Sequence, residues 1–201
     1  MSFVLGLTGS IGMGKSATAG MFRAEGVPVH DADATVHALY RGRAAPLIAA
    51  AFPGTVTEGV VDRAKLAELV VGKPEALQRL ESIVHPLVRE EETAFLTRHA
   101  AAQLVLLDIP LLFETGGARR CHAVAVVACS PEIQRARVLA RPGMTEARFE
   151  TLRAKQMPDV EKRRRAHFLV DTGHGFAPAR AAVRAILRAL AGRNPGAAQP
   201  G

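Results

Sequence analysis

The amino-acid sequence is poor in aromatic residues, with no tryptophan and one tyrosine in 201 residues. Proteins that bind single-stranded nucleic acid stack the bases on aromatic side chains, so this composition disfavours such a surface. The sequence also has no apolar run near the about 20 residues that a helix needs to cross a bilayer. No basic segment precedes the first apolar stretch, and we therefore expect neither a membrane span nor a secretory signal.

Cysteine is scarce as well, and the two cysteines, Cys121 and Cys129, do not have the spacing of a C-x-x-C motif. We interpret them as small core or near-core residues rather than as a metal-binding or redox pair. Isolated thiols fit a reducing compartment, and we expect the protein to be cytoplasmic.

Acidic residues are outnumbered, since 26 lysines and arginines against 19 acids give a formal net charge of +7. Such a charge is compatible with nucleic acid, an anionic surface or a highly phosphorylated small substrate. Many of the basic residues fall between Arg135 and Arg165, and few aromatic residues accompany them. We favour the small-substrate interpretation and expect no nucleic-acid or membrane partner.

Residues 9–16, with the sequence GSIGMGKS, match the phosphate-loop pattern G-x-x-x-x-G-K-[ST] in full. The preceding residues Phe3 to Leu7 predict a buried strand, and Lys15 to Arg23 predict a helix. In this context the backbone N–H groups of the loop hold a nucleotide phosphate, whereas a glycine-rich turn that matches by chance is the less favoured alternative. Lys15 would reach the β- and γ-phosphates of ATP, and the Ser16 hydroxyl would be a ligand of Mg²⁺. The candidate nucleotide-binding residues are Gly12, Met13, Gly14, Lys15, Ser16 and Ala17.

Two acids, Asp31 and Asp33, follow a second predicted strand at residues 27–30. The carboxyl ends of strands line the ligand crevice of an open parallel sheet, so both acids are candidate site residues. Asp33 is the candidate for orienting an attacking hydroxyl and taking its proton. Alternatively, one of the two acids only caps the helix that follows.

A helical insert is predicted over residues 32–100, longer than the crossover that a parallel sheet requires. Its predicted helices cover residues 44–52, 63–71 and 74–97, and residues 55–61 predict a turn or extended link. Within the last helix, His85 precedes Pro86, which is expected to bend or restart the helix. On the residues alone we favour a structural role for His85, while Arg89, one turn away, could present a cation to the same cleft.

Asp108 ends the apolar strand predicted at residues 103–108, and Glu114 follows shortly after it. An acid at the end of a buried strand is typical of a carboxylate on the magnesium side of a phosphate-loop protein, although a strand can also end in an acid without a function. Glu114 is a weaker candidate, because it could simply cap the turn at residues 115–117.

A helical lid is predicted over residues 131–166, directly after a strand at residues 122–128. Its helices carry Arg135, Arg137 and Arg141, and Arg141 immediately precedes a Pro-Gly hinge. We expect Arg141 and one or two others to supply cations to transferring phosphates, whereas most of the basic residues lie on solvated faces.

The sequence predicts a single domain of α/β class over residues 1–192, with a central parallel sheet flanked by helices. Its core comprises residues 1–31, 101–130 and 167–192, including a strand at residues 168–171 and an amphipathic helix at residues 178–191. The composition of residues 193–201 is typical of a disordered tail.

Several stretches, in this order, together resemble the dephospho-CoA kinase family. They are GLTGSIGMGKS (6–16), DAD (31–33), HP (85–86), DIPLLFE (108–114), Arg137 with Arg141, QMP (156–158), EKR (161–163) and VDTG (170–173). The resemblance covers the chain to about residue 190 and depends on the order and spacing of the motifs, since the phosphate loop alone is not specific.

This resemblance implies a P-loop kinase with a helical substrate-binding insert and a helical lid. It implies transfer of the γ-phosphoryl group of ATP to the 3′-hydroxyl of dephospho-coenzyme A, the last step of coenzyme A biosynthesis, with ATP and Mg²⁺ as cofactors. Asp33 would be the base, and Lys15 and Arg141 would bind phosphates. The acceptor side would include Asp31, His85, Arg89, Asp108 and Glu114. We expect a monomer or weak oligomer.

Three positions depart from the family pattern. Ala17 replaces a common threonine after the loop, so Ser16 is the one hydroxyl left there, and His167 and Thr172 replace Asp and Asn around the last strand. The last two changes put any adenine contact there in doubt. Two rival functions are another P-loop small-molecule kinase and a nucleotide-dependent switch protein, although the sequence has no Asn-Lys-x-Asp motif for reading guanine.

Overall fold

The computed structural model describes residues 2–192, and the predicted disordered tail at residues 193–201 lies outside them. The strands are β1 (Phe3–Thr8), β2 (Val29–Asp31), β3 (Val56–Thr57), β4 (Val60–Val61), β5 (Leu104–Asp108), β6 (Ala123–Ala128) and β7 (Phe168–Asp171). Five of them form one sheet in the order β2-β5-β1-β6-β7. The ladders β1–β5, β1–β6 and β6–β7 are parallel, which confirms the predicted central parallel sheet.

Every residue of β1, β5 and β6 is buried, which explains their nearly continuous apolar sequences. Such sequences are typical of parallel strands that helices cover on both faces. Because these strands run in the same direction, their carboxyl ends lie at one edge of the sheet. The segments that follow β1, β5 and β6 therefore start from the same edge.

Nine α-helices and one short 3₁₀ helix (Gly117–Arg120) occur within residues 2–192. The α-helices are α1 (Lys15–Ala24), α2 (Ala32–Leu39), α3 (Ala44–Ala51), α4 (Arg63–Val70), α5 (Pro74–Arg98), α6 (Pro131–Leu139), α7 (Glu146–Ala154), α8 (Asp159–Arg164) and α9 (Phe176–Leu190). The last helix, α9, begins before the predicted start at Pro178 and buries Ala179, Val183, Ile186 and Leu190 in the core beside the sheet.

The chain divides into two compact units, one made of the residues up to His30 and from His99 onward, the other of Asp31–Arg98. The second unit has its own apolar core, which includes Leu39, Ile48, Leu66, Leu80 and Leu87. The helices of this unit therefore pack around a core of their own. The assignment of residues 32–100 to substrate binding and of residues 131–166 to a lid stays a prediction.

Two local features of the second unit differ in detail from the prediction for the link at residues 55–61 and for Pro86. The link at residues 55–61 contains an antiparallel hairpin of β3 and β4, whose turn residues Glu58 and Gly59 have φ angles of 51° and 76°. Helix α5 continues through Pro86 as one element of 25 residues, so it does not restart at this proline, and a bend there stays a prediction. Val84 and Leu87, on either side of this proline, are buried, and their packing offsets the missing backbone donor.

None of the helices within residues 2–192 is long and apolar enough to cross a membrane.

Candidate active site

The phosphate loop joins the end of β1 to the start of α1, as the motif predicts. Gly12 and Gly14 have φ angles of 80° and 91°, a region that L-residues with side chains rarely adopt. A Cβ atom on Gly12 would also lie 2.5 Å from Val138 Cγ2. Within residues 2–192, the amides of Gly12, Gly14, Lys15 and Ser16 donate no hydrogen bond, so they are available to phosphate oxygens.

The ammonium of Lys15 lies 2.6 Å from the carboxylate Oδ1 of Asp108, at the end of β5. The Asp108 side chain is 2% exposed and the Lys15 side chain 14% exposed, so the pair is largely shielded from water. Charge-assisted hydrogen bonds of this length are among the stronger ones in proteins. The structure thus places Asp108 in contact with the lysine of the loop, and the pair fixes the lysine before any nucleotide binds.

Asp31 and Asp33 have different surroundings at the start of α2. The Asp31 side chain accepts a hydrogen bond of 2.9 Å from the Ala34 amide and is the N-cap of the helix. Asp33 lies in the first turn, its side chain is exposed, and within residues 2–192 it forms no hydrogen bond or ion pair. Asp31 therefore provides the cap, and the Asp33 carboxylate is available for another role.

His85 and Arg89 are both exposed on α5, one turn apart. The Arg89 Nε–H donates a hydrogen bond of 3.4 Å to the His85 carbonyl oxygen. An open groove follows this side of the helix, and its lining consists of Pro86, Arg89, Glu90, Thr93, Ala94, Thr97 and Arg98. The two candidate side chains are therefore accessible to a ligand.

The three arginines of the predicted lid differ in their contacts. Arg135 forms a salt bridge with Glu146 on α7, and Arg137 donates hydrogen bonds to the side chain and carbonyl of Thr172. Arg141 is exposed, and no group within residues 2–192 pairs with its guanidinium. Of the three, Arg141 has the cation that is available to a phosphate.

Glu114 contacts the predicted lid segment rather than the turn at residues 115–117. Its Oε1 atom accepts a hydrogen bond of 2.8 Å from the Met157 amide and lies 2.9 Å from the ammonium of Lys162, which is 0% exposed. Burial alone would raise the pKa of Glu114, but the ion pair with Lys162 and the hydrogen bond from the Met157 amide outweigh it, so the pKa is lowered. The carboxylate is thus held ionised by the segment that it anchors.

Thr172, at the end of β7, links the phosphate loop to α6. Its hydroxyl donates a hydrogen bond of 2.8 Å to the Met13 carbonyl and accepts one of 2.9 Å from Arg137 Nη1. The side chain also packs where a Cβ atom on Gly14 would stand, at 3.1 to 3.3 Å. In this chain the threonine therefore supports the loop backbone.

Comparison with known proteins identifies the family. The family model for dephospho-CoA kinase matches residues 3–177. The chain belongs to the dephospho-CoA kinase family. A protein named dephospho-CoA kinase from Mesorhizobium japonicum is 61% identical over 192 residues, which cover 94% of this chain and 98% of that protein.

Solved structures share the fold of this chain. A crystal structure of a Thermus thermophilus protein superposes with a TM-score of 0.85 at 39% identity, over 95% of this chain and 99% of that one. The dephospho-CoA kinase from Campylobacter jejuni gives a TM-score of 0.70 at 22% identity, over 94% and 96% of the two chains. At that identity the second structure shows the fold alone.

The donor set of this dephospho-CoA kinase family member suits magnesium. Within residues 2–192 no three His, Cys, Asp or Glu side chains cluster as a metal site. Mg²⁺ is usually held by one or two protein ligands together with substrate phosphates and water, so it does not require such a cluster. The exposed Ser16 hydroxyl is a suitable protein ligand, because it is next to the loop amides that donate no hydrogen bond within residues 2–192.

The sequence did not assign roles to four residues that hold the loop in place. Gln134, Gln156 and Thr172 form hydrogen bonds with the loop backbone, and Lys162 acts indirectly, through its pair with Glu114. Gln134 and Val138 are the buried residues of α6 and lie one turn apart. A polar residue at this spacing from a valine on a buried face is a signal that could have identified Gln134. The other contacts join residues far apart in the sequence, and local patterns do not show them.

Replacing Thr172 by valine keeps the shape of the side chain but removes its hydroxyl. The Met13 carbonyl and the Arg137 guanidinium both lose a partner, so we expect the free energy of unfolding to fall by about 1–3 kcal/mol. Urea denaturation measures this loss. Thr172→Ser keeps the hydroxyl and should lose less than half as much, whereas a valine variant as stable as the original chain would contradict the assignment.

Proposed function

We propose that this chain transfers the γ-phosphoryl group of ATP to the 3′-hydroxyl of the ribose in dephospho-coenzyme A, the last step of coenzyme A biosynthesis. The observation that supports it most is the phosphate loop, where the amides of Gly12, Gly14, Lys15 and Ser16 donate no hydrogen bond within residues 2–192 and the lysine ammonium lies 2.6 Å from Asp108. Membership of the dephospho-CoA kinase family names the acceptor.

The donor side provides positive charge where the transfer creates negative charge. Phosphoryl transfer passes through a loose transition state with charge on the equatorial oxygens, so catalysis depends on positioning and electrostatics. The amides of the loop and the Lys15 ammonium would bind the β- and γ-phosphates. The Ser16 hydroxyl, together with the phosphates, would hold Mg²⁺, which would neutralise further negative charge. Arg141, whose guanidinium has no partner within residues 2–192, would add a cation from the predicted lid.

The acceptor side would be formed by residues of the second unit. Asp33 comes two residues after the end of β2, is exposed and has no hydrogen-bond partner within residues 2–192. A carboxylate is a far weaker base than an alkoxide, so it takes the proton of a sugar hydroxyl only once the bond from that oxygen to phosphorus is forming. Asp33 would therefore orient the hydroxyl and accept its proton late in the transfer. His85 and Arg89 would contribute to holding the acceptor, with Asp31 fixing the start of α2.

We further propose that the protein works in the cytoplasm, as a monomer or weak oligomer, on small molecules only. Cys121 and Cys129 form no disulfide within residues 2–192, which supports a reducing compartment.

Release of ADP in the presence of ATP and Mg²⁺ tests the function, measured with and without dephospho-coenzyme A. We expect release to depend strongly on the acceptor and the product to be phosphorylated at the 3′-position. Equal release without the acceptor would favour a nucleotide-dependent switch. Dependence on another alcohol, with none on dephospho-coenzyme A, would favour a different small-molecule kinase.

A further inference from the structure

Both backbone groups of Ile11, the third residue of the phosphate loop, are bound by glutamine side chains. The Ile11 amide donates a hydrogen bond of 2.9 Å to Gln156 Oε1, and the Ile11 carbonyl accepts one of 2.8 Å from Gln134 Nε2. Gln134 lies on α6 and Gln156 follows α7, 123 and 145 residues from Ile11 in the sequence. The contact therefore depends on the fold and not on local chain geometry.

The chemistry of the two partners fixes the direction of each hydrogen bond. An amide can only donate and a carbonyl can only accept, so Gln156 must present its oxygen and Gln134 its nitrogen. Gln134 is 5% exposed, and losing its bond would leave polar groups with little access to water. The two contacts together hold one peptide unit on each side of the Ile11 Cα atom.

The other loop amides stay available because Ile11 is held in this way. The amide of Met13 closes a turn on the Ser10 carbonyl at 3.1 Å, while those of Gly12, Gly14, Lys15 and Ser16 have no acceptor within residues 2–192. A phosphate binds best when these amides already converge, since ordering them at the moment of binding costs entropy. Fixing Ile11 orders the loop at the point where it leaves the sheet.

The segment that contains Gln156 is itself held in place by contacts with other parts of the chain. The next residue, Met157, donates its amide to Glu114, and Glu114 pairs with the buried Lys162 on α8. The position of the Gln156 side chain is thus tied to the segment that follows β5, where Asp108 binds Lys15. Two separate segments therefore hold Ile11, one through α6 and the other through the residues after α7.

We propose that Gln134 and Gln156 are positioning residues that hold the phosphate loop in its nucleotide-binding conformation through the backbone of Ile11. Neither side chain needs to touch the nucleotide. This proposal concerns the ATP-binding side of the proposed kinase. It rests on the proposed function in one respect only, which is that the loop binds ATP.

The test uses the affinity for ATP with Mg²⁺, measured by titration calorimetry on the full chain without any acceptor. Gln134→Met and Gln156→Met each remove one hydrogen bond at nearly constant shape. We expect each to raise the Kd of ATP by about 2- to 12-fold, the effect of one ordinary hydrogen bond. Gln78→Met, a change at an exposed glutamine of α5, is the matched control and should leave the Kd unchanged.

A pair of glutamate variants then tests the direction of the hydrogen bonds. Both place the same negative charge beside the same residue, but Gln156→Glu still accepts from the Ile11 amide, whereas Gln134→Glu presents an acceptor to a carbonyl. We expect Gln134→Glu to bind ATP at least about 5-fold more weakly than Gln156→Glu. If circular dichroism shows that Gln134→Glu does not fold, the Kd of ATP for Gln134→Met decides whether Gln134 holds the loop.

Steady-state kinetics separates positioning from a general loss of structure. We expect the methionine variants to raise the KM for ATP and to leave the KM for dephospho-coenzyme A within about 2-fold. An unchanged Kd for ATP in both methionine variants, or equal affinities of the two glutamate variants, would overturn the proposal. A chain that binds ATP but does not phosphorylate dephospho-coenzyme A would refute the proposed function alone, because the calorimetric test contains no acceptor.

Discussion

Replacing Asp33 by asparagine is expected to lower kcat by about 10²- to 10⁴-fold while the affinity for ATP changes little. Asparagine has nearly the same shape and can still accept a hydrogen bond from the acceptor hydroxyl, but it cannot take up the proton. The helix start is preserved, because Asp31 and not Asp33 provides the N-cap of α2. Single-turnover phosphorylation of dephospho-coenzyme A measures the loss, and calorimetry with ATP measures binding.

The matched control for this variant is Glu75→Gln. Glu75 is also an exposed acid in the first turn of a helix, α5, so the substitution removes a charge from the same position relative to a helix dipole. We expect its turnover to stay near that of the original chain. A turnover of Asp33→Asn within about 10-fold of the original would remove Asp33 from the mechanism, since general acid–base catalysis contributes at least about 10²-fold.

Replacing Lys162 by methionine is expected to lower the free energy of unfolding by about 3–5 kcal/mol, the usual cost of removing one partner of a buried ion pair. Lys162 is 0% exposed and its ammonium lies 2.9 Å from the Glu114 carboxylate. Without it, the carboxylate keeps the Met157 amide as a partner but loses its counter-charge. Urea denaturation at neutral pH measures the difference.

Two further variants show whether the uncompensated charge causes this loss. Glu114→Gln in the Lys162→Met background removes the charge and still accepts from the Met157 amide, so the double variant should be more stable than Lys162→Met alone. Arg165→Met breaks the exposed pair with Glu161 beside the same helix and should cost no more than about 1 kcal/mol. Equal losses in the Lys162 and Arg165 variants would show that burial of the pair is unimportant.

The sequence was most informative where local chemistry alone determines the structure. The strand, loop and helix from β1 to α1 follow from a run of buried apolar residues and from glycines at the two loop positions that have positive φ angles. The start of α6 was also predictable, because Ser130 caps the helix and Pro131 occupies its first turn. The order of the motifs then identified the family.

The hairpin of β3 and β4 shows why other elements were less predictable. Its turn places Glu58 at a φ angle of 51°, although the turn types that suit two-residue hairpins favour Asn, Asp or Gly there. The sequence signal was therefore weak. Pro86 illustrates the opposite case, because a proline in a helical pattern allowed a restart, whereas α5 is continuous through it and the neighbouring Val84 and Leu87 are buried.

Within the candidate site, the sequence named candidate residues but did not show which contacts hold them in place. Lys15 and Asp108 were both named, and yet no pattern indicated that they form an ion pair across 93 residues. The same holds for Glu114, whose partners Met157 and Lys162 come from a later segment. Contacts of this kind depend on the tertiary fold, and a single sequence does not encode them in local periodicity.

The start of α1 has a consequence for how stability depends on the nucleotide. Gly14 occupies the N-cap position, and within residues 2–192 no side-chain hydrogen bond caps the helix there. A bound phosphate would act as the missing cap, so ATP would stabilise the folded state by an amount that grows with the logarithm of its concentration above the Kd. At a free ATP concentration of 100 times the Kd, this linkage amounts to about 2.7 kcal/mol. Depletion of ATP in a cell would then lower the fraction of folded enzyme as well as the supply of its phosphoryl donor.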